Sequence, residues 1–234
     1  MTRQPIMRQL ARWHIWLGWL IAVPLLMWTI TGLVMVSRPI DEVRGEHLRK
    51  SHHAPLPPGS SYSIRLPARP LQPITDARVR MQGGAAVTLV TYEDGSMDRI
   101  GADGTPLPPF TESDARALVA KNIQGGDRAT AARLVMADQV PLAFRRPMPV
   151  WQIVLESGTH VYVGQRSGAI EAIRTPFWRV FDVMWGLHIM DLNGREDTHH
   201  PLLILFAALS VLGGLIGTAL LFRRRGKGSA NPAR

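Results

Sequence analysis

The chain of 234 residues has eight histidines and no cysteine. Any metal it holds must therefore use imidazole, thioether, carboxylate or water, and a Cys-attached prosthetic group is excluded. Four of the histidines stand where an imidazole needs a reason. His14 lies inside the apolar run Trp13 to Val36, one turn from its basic end. His188 lies on the apolar side of an aromatic-rich segment, and His199 and His200 stand directly before a second apolar run. An ionisable side chain kept in a membrane-length helix is costly and commonly functional. The other four carry less. His47, His52 and His53 fall in a Pro-rich tract that reads as solvated loop, and His160 reads as an ordinary sheet residue.

The elements that must position these imidazoles follow from charge and hydropathy. Residues 13–36 contain no Lys, Arg, Asp or Glu. At 1.5 Å per residue they make a helix of about 36 Å, enough for a hydrocarbon core of about 30 Å. Residues 201–222 form a second such run. The formal net charge of +9 suggests nucleic acid until it is partitioned. The tail 1–12 holds Arg3, Arg8 and Arg12, and the tail 223–234 holds Arg223, Arg224, Arg225, Lys227 and Arg234, with no acid in either. Eight of the nine charges thus flank the two spans, where the positive-inside rule uses them. Nucleic acid is not needed as a partner. Both termini are expected in the cytoplasm, the middle across the membrane, and the first span is expected to act as an uncleaved signal anchor.

Within the first span, helical counting from His14 gives Gly18, Ile21, Leu25, Trp28 and Gly32 on one face. Pro24 predicts a kink. Gly213, Gly214 and Gly217 in the second span predict close packing against another helix. Residues 37–75 form a Pro-rich linker, and residues 76–174 a small α+β domain with an antiparallel sheet. Its strands are expected at 78–81, 86–92, 97–100, 150–156, 159–164 and 169–173. A helix starting at Thr111 is expected to bury Ala117, Leu118 and Ile123. No nucleophile motif, HExxH or phosphate-binding Gly loop occurs there. Thr175 and Pro176 open a helix over 175–192 whose aromatic face and charged Arg179 and Asp182 place it in the membrane interface.

Several segments together resemble the PepSY-associated transmembrane family. They are Arg12-Trp13-His14-Ile15-Trp16-Leu17-Gly18, Thr31-Gly32, Arg38-Pro39-Ile40-Asp41-Glu42, the Gly164 to Ile170 turn, and Trp185-Gly186-Leu187-His188. The resemblance spans nearly the whole chain and implies a two-helix relative of haem-containing ferric-siderophore reductases, with a PepSY-like domain in the periplasm of a bacterial inner membrane. It implies haem b as cofactor, with His14, His188, His199 and His200 as candidate ligands and Gly18 leaving room for a flat macrocycle.

Haem iron takes axial ligands on opposite faces. His14 and the group His188, His199 and His200 are expected at opposite ends of a core of about 30 Å, so they cannot share one haem. Nor does the second span carry a histidine for His14. An inner site then requires a homodimer, with the glycine faces in contact, or a partner membrane subunit. An outer site pairs His188 with His199 or His200, with Met35 a weaker candidate. The function this implies is outward electron transfer, with a ferric-siderophore as acceptor. The alternative is a cofactor-free membrane-anchored module that binds or regulates a periplasmic partner such as a peptidase.

Overall fold

The computed structural model describes residues 3–50, 55–59, 61, 64, 66 and 72–228. His52 and His53, together with Pro67 and Pro70, lie outside the described residues. The chain divides into two compact units, Met1–Arg38 with Val180–Arg234, and Pro39–Arg179.

The first unit is built on two long helices, α1 (Arg3–Val36) and α5 (Pro201–Gly228). Both contain stretches long and apolar enough to cross a membrane, Ile6–Val36 and Pro201–Phe222. α1 stays helical through Pro24. Its partly or fully buried residues include Leu10, His14, Leu17, Ile21, Pro24, Trp28, Thr31 and Met35, spaced alternately by four and three. α5 shows the same alternation at Leu203, Phe206, Ser210, Gly213, Gly217 and Leu220. This 3.5-residue spacing makes a seam for left-handed helix packing. It corrects the face counted at period 3.6, because Leu25 lies outside the seam and is 46% exposed.

The contacts of two glycines set the register. A Cβ on Gly213 would lie 3.3 Å from Ile21 Cδ1, and one on Gly217 would lie 2.8 Å from His14 Cε1. The helices are therefore antiparallel, and these glycines serve packing within one chain. Gly214 has nothing within 4 Å and takes no part.

The second unit contains two antiparallel sheets rather than one. β1 (Ile74–Gln82), β2 (Ala85–Tyr92) and β3 (Met97–Ile100) form a meander in that order. β4 (Ala129–Val135), β5 (Val150–Leu155), β6 (His160–Gly164) and β7 (Ile170–Arg174) form another. β4 is absent from the expected strands. Its sequence Ala-Thr-Ala-Ala-Arg-Leu-Val has few β-branched residues, and it lies at a sheet edge, where pairing with β5 does most of the work.

Helix α3 (Glu112–Asn122) covers one face of the second sheet, with Ala115, Val119 and Ile123 packed on Ile153, Leu155, Val161, Val163 and Ile173. Thr111 begins it with a reciprocal capping box to Asp114. The buried side uses Ala115 and Val119 rather than Ala117, which is exposed. The expected linker also contributes structure: α2 (Ile40–Val43) and a helical turn at Glu46–Leu48 precede a bridge between Arg49 and Ile123. The two sheets are tied by Arg166 to Asp98 at 2.7 Å and by Gln82 Nε2 donating to the carbonyl of Ser167 at 3.0 Å.

Helix α4 (Pro176–His188) starts as its sequence signals, with Trp178 N–H donating to Thr175 Oγ1 at 3.0 Å. It ends four residues earlier than expected, because residues 189–200 fold into a compact loop of their own.

Candidate functional site

The C-terminal end of α1 receives the last residue of α4. Thr31 is 2% exposed, and its Oγ1 lies 2.9 Å from His188 Nδ1. The same oxygen is 2.7 Å from the Met27 carbonyl and 3.2 Å from that of Trp28. A hydroxyl has one proton, and here it goes to the helix carbonyls. With the threonine proton on a carbonyl, Oγ1 is free to accept from an Nδ1–H of His188, the arrangement in which Nε2 keeps its lone pair. This is the tautomer that ligating histidines take when a neighbour accepts their other N–H. Gly32 lies beside the ring, where a Cβ would stand at ordinary contact distance, 3.7 Å from His188 Cε1.

His14 occupies the other end of the same seam, seventeen residues away, or about 25 Å along the helix. Its ring lies on Gly217, where any side chain would collide with it. Nδ1 is buried and has no hydrogen-bond partner. An apolar-phase imidazole nitrogen left unpaired is expensive. Gly18 has nothing within 4 Å of where its Cβ would stand, so open space lies beside it on α1. Trp28 Nε1 and Ser210 Oγ are likewise buried without partners.

The structure separates His199 from His200. His199 is exposed, and its backbone N–H is held by Asp197 Oδ1 at 2.8 Å. His200 is half-buried, and its Nδ1 is enclosed without a partner. Continued along the two helices, the register set by His14–Gly217 and Ile21–Gly213 brings His200 roughly level with Thr31 and Val34. His188 and His200 thus share one end of the helix pair, and His14 stands alone at the other.

The loop between α4 and α5 holds that end together. Asp191 accepts the backbone N–H groups of Asn193 and Gly194 on Oδ1, and of Glu196 and Asp197 on Oδ2, at 3.0–3.2 Å. These donors, Asp197 and Glu196 first, lower its pKa to about 2. Arg195 folds back to Asp182 at 2.6 Å, and its carbonyl accepts from Trp185 Nε1 at 3.0 Å. Gly186 answers to this fold-back: a Cβ there would meet Arg195 Cγ at 2.7 Å. Although Gly186 neighbours His188 in sequence, the space beside it is filled by Arg195.

Among the described residues no three His, Asp or Glu side chains gather around a common point. A protein zinc site uses three or four such ligands, whereas a haem needs only axial ones. Single or paired imidazoles with an unprotonated or orphaned nitrogen suit the second case. Met35, the weaker candidate, lies on the seam one turn beyond Thr31.

Two apolar helices and a separate α+β unit define a two-pass membrane protein. Residues 2–225 match the family described as PepSY-associated TM region, and the chain belongs to that family. No curated protein and no solved structure matches it.

Proposed function

We propose that this protein is a b-haem electron-transfer protein of a bacterial inner membrane, with both termini cytoplasmic and the α+β unit periplasmic. The observation that carries the proposal is the hydrogen bond between Thr31 and His188, which suits the tautomer with Nε2 unprotonated. Thr31 and Gly32 hold and accommodate His188, and the buried Nδ1 of His200 at the same end calls for a partner. These two imidazoles would hold an outer haem. His14 would hold an inner one, completed by a ligand from a second copy or from another membrane subunit. Haem bound in this way supplies reversible one-electron chemistry between ferric and ferrous iron.

In this reading the chain's own residues orient and insulate. Thr31 raises the basicity of His188 by accepting its N–H, and the seam half-buries His14. The acceptor is ferric iron, siderophore-bound, at the periplasmic face; that part of the proposal comes from the family resemblance.

The test is a reduced-minus-oxidised visible spectrum of the full chain, purified in detergent after expression with ample haem. Wild type should show b-type bands, and His188→Ala should remove part of them. If wild type shows no bands, the protein is the cofactor-free binding module instead.

A further inference from the structure

The face of the second sheet turned away from α3 carries a polar cluster that the haem reading does not use. Register places Arg133 of β4 opposite Gln152 of β5, and Gln152 opposite Tyr162 of β6. His160 of β6 stands opposite Arg174 of β7. Arg133 Nε donates to Gln152 Oε1 at 2.6 Å. That bond fixes the amide, since flipping it would set N–H against N–H. The Gln152 amide nitrogen, 3.1 Å from Tyr162 Oη and 3.0 Å from His160 Nδ1, therefore donates to both. His160 Nδ1 is then the acceptor, and its proton sits on Nε2.

Charge around the cluster has one sign. Arg179 reaches the turn before β6, donating to the Gly158 carbonyl at 3.1 Å. Arg174 donates to the Ala143 carbonyl at 2.7 Å and lies over Trp178. The only carboxylate within β4 to β7 is Glu171, which is taken by Arg146 at 2.8 Å and Ser167 at 2.6 Å. Glu156, just past β5, pairs with Arg128. Arg133 and Arg179 form no ion pair among the described residues. Burial first, then Arg179 and Arg133, lower the pKa of His160 and keep the ring neutral. Arg133 and Arg179 are exposed, whereas Gln152 is 6% exposed, so accessible cations stand beside a buried hydrogen-bonding amide.

Every group so arranged offers donors outward: the unused N–H groups of Arg133 and Arg179 and the Nε2–H of His160. We infer that this face of β4–β7 is a binding site for a phosphate-type oxyanion, clamped by Arg133 and Arg179 over His160. Guanidinium forks match phosphate oxygens, and charge-assisted hydrogen bonds are the strong ones. The oxyanion could be a free phosphate or the phosphate of a lipid headgroup. The inference is independent of haem.

The experiment uses the full chain in nanodiscs, with the His160 ring followed by NMR and assigned by its loss in His160→Gln. In phosphatidylcholine discs, inorganic phosphate should shift the ring saturably, with chloride at equal ionic strength as control. Arg133→Gln and Arg179→Gln should each weaken the response about tenfold, as loss of one charge-assisted contact predicts, and Arg133→Lys should retain part of it. In discs containing phosphatidylglycerol without phosphate, a shift of the same ring that the two Gln variants weaken assigns the site to the headgroup. If neither phosphate nor phosphatidylglycerol moves His160, or if both Gln variants respond like wild type while retaining the wild-type melting temperature, the inference is overturned.

Discussion

Thr31 and His188, 157 residues apart in the chain, meet through a 2.9 Å hydrogen bond in which the threonine oxygen can accept from the ring. In that direction the threonine's own proton goes to the carbonyl of Met27. One residue on a membrane helix thus bears on which nitrogen of another is free to bind. Thr31→Val removes the acceptor while keeping the shape. Loss of a hydrogen-bond partner behind a ligating histidine costs about 10–100-fold in affinity. Haem titration of the apoprotein should show that loss at the outer site, and Thr31→Ser should restore most of it.

Gly217 and Gly214 differ by three residues and should differ sharply in tolerance. A Cβ at Gly217 would enter the His14 ring, whereas one at Gly214 meets nothing. Gly217→Ala should cost about 1–3 kcal/mol by overpacking the seam. Gly214→Ala should be silent. Thermal melting in detergent compares the two.

Gly18 supplies a separate test of the open space next to the seam. Gly18→Leu fills a position with no neighbour within 4 Å and should leave the melting temperature of the apoprotein close to wild type. If a macrocycle lies there, the same variant should retain less haem than wild type on purification.

The pair Asp182–Arg195 closes the loop between α4 and α5, with side chains 5% and 22% exposed. Removing Asp182 takes away the carboxylate that holds the half-buried Arg195 against α4. Asp182→Ala should therefore open residues 191–198 to proteolysis, and Asp182→Asn, which keeps an acceptor, should fall between it and wild type.

Asp191 gives the loop a defined acid limit. Its folded pKa of about 2 lies below the ordinary 3.8 because four backbone N–H groups stabilise the carboxylate. A depressed pKa contributes stability that is present above the unfolded value and is lost as pH falls through the folded one. Loop protection, read by hydrogen exchange, should hold to about pH 4 and fall between there and about pH 2. Asp191→Asn should flatten that step.

How much of this was legible in the sequence varies by physical cause. The spans, the Thr175-Pro176 start of α4 and the Thr111 cap are local features, and local residues signal them. His14 and His188 stand out because an imidazole on an apolar helix conflicts with its surroundings. Their neighbours, Gly217 and Thr31, do not stand out as neighbours, since glycine and threonine are ordinary in such helices and only tertiary register brings them to the rings. Gly186 shows the reverse. It stands two residues before His188 in the chain, yet the need for glycine there comes from Arg195, nine residues on. β4 escaped because an Ala-rich edge strand draws its conformation from its neighbour.

The alternation of four and three along α1 has a consequence for the distance between its two ends. His14 and Thr31 both lie on the seam only because their separation along the helix fits that rhythm. One added residue would turn one end by about 100° relative to the other, swinging either His14 off Gly217 or Thr31 away from His188. Seven added residues would lengthen α1 by about 10 Å and restore the phase to within about 20°. The span is therefore quantised: its ends can be moved apart by a heptad, whereas a single inserted residue breaks one contact or the other.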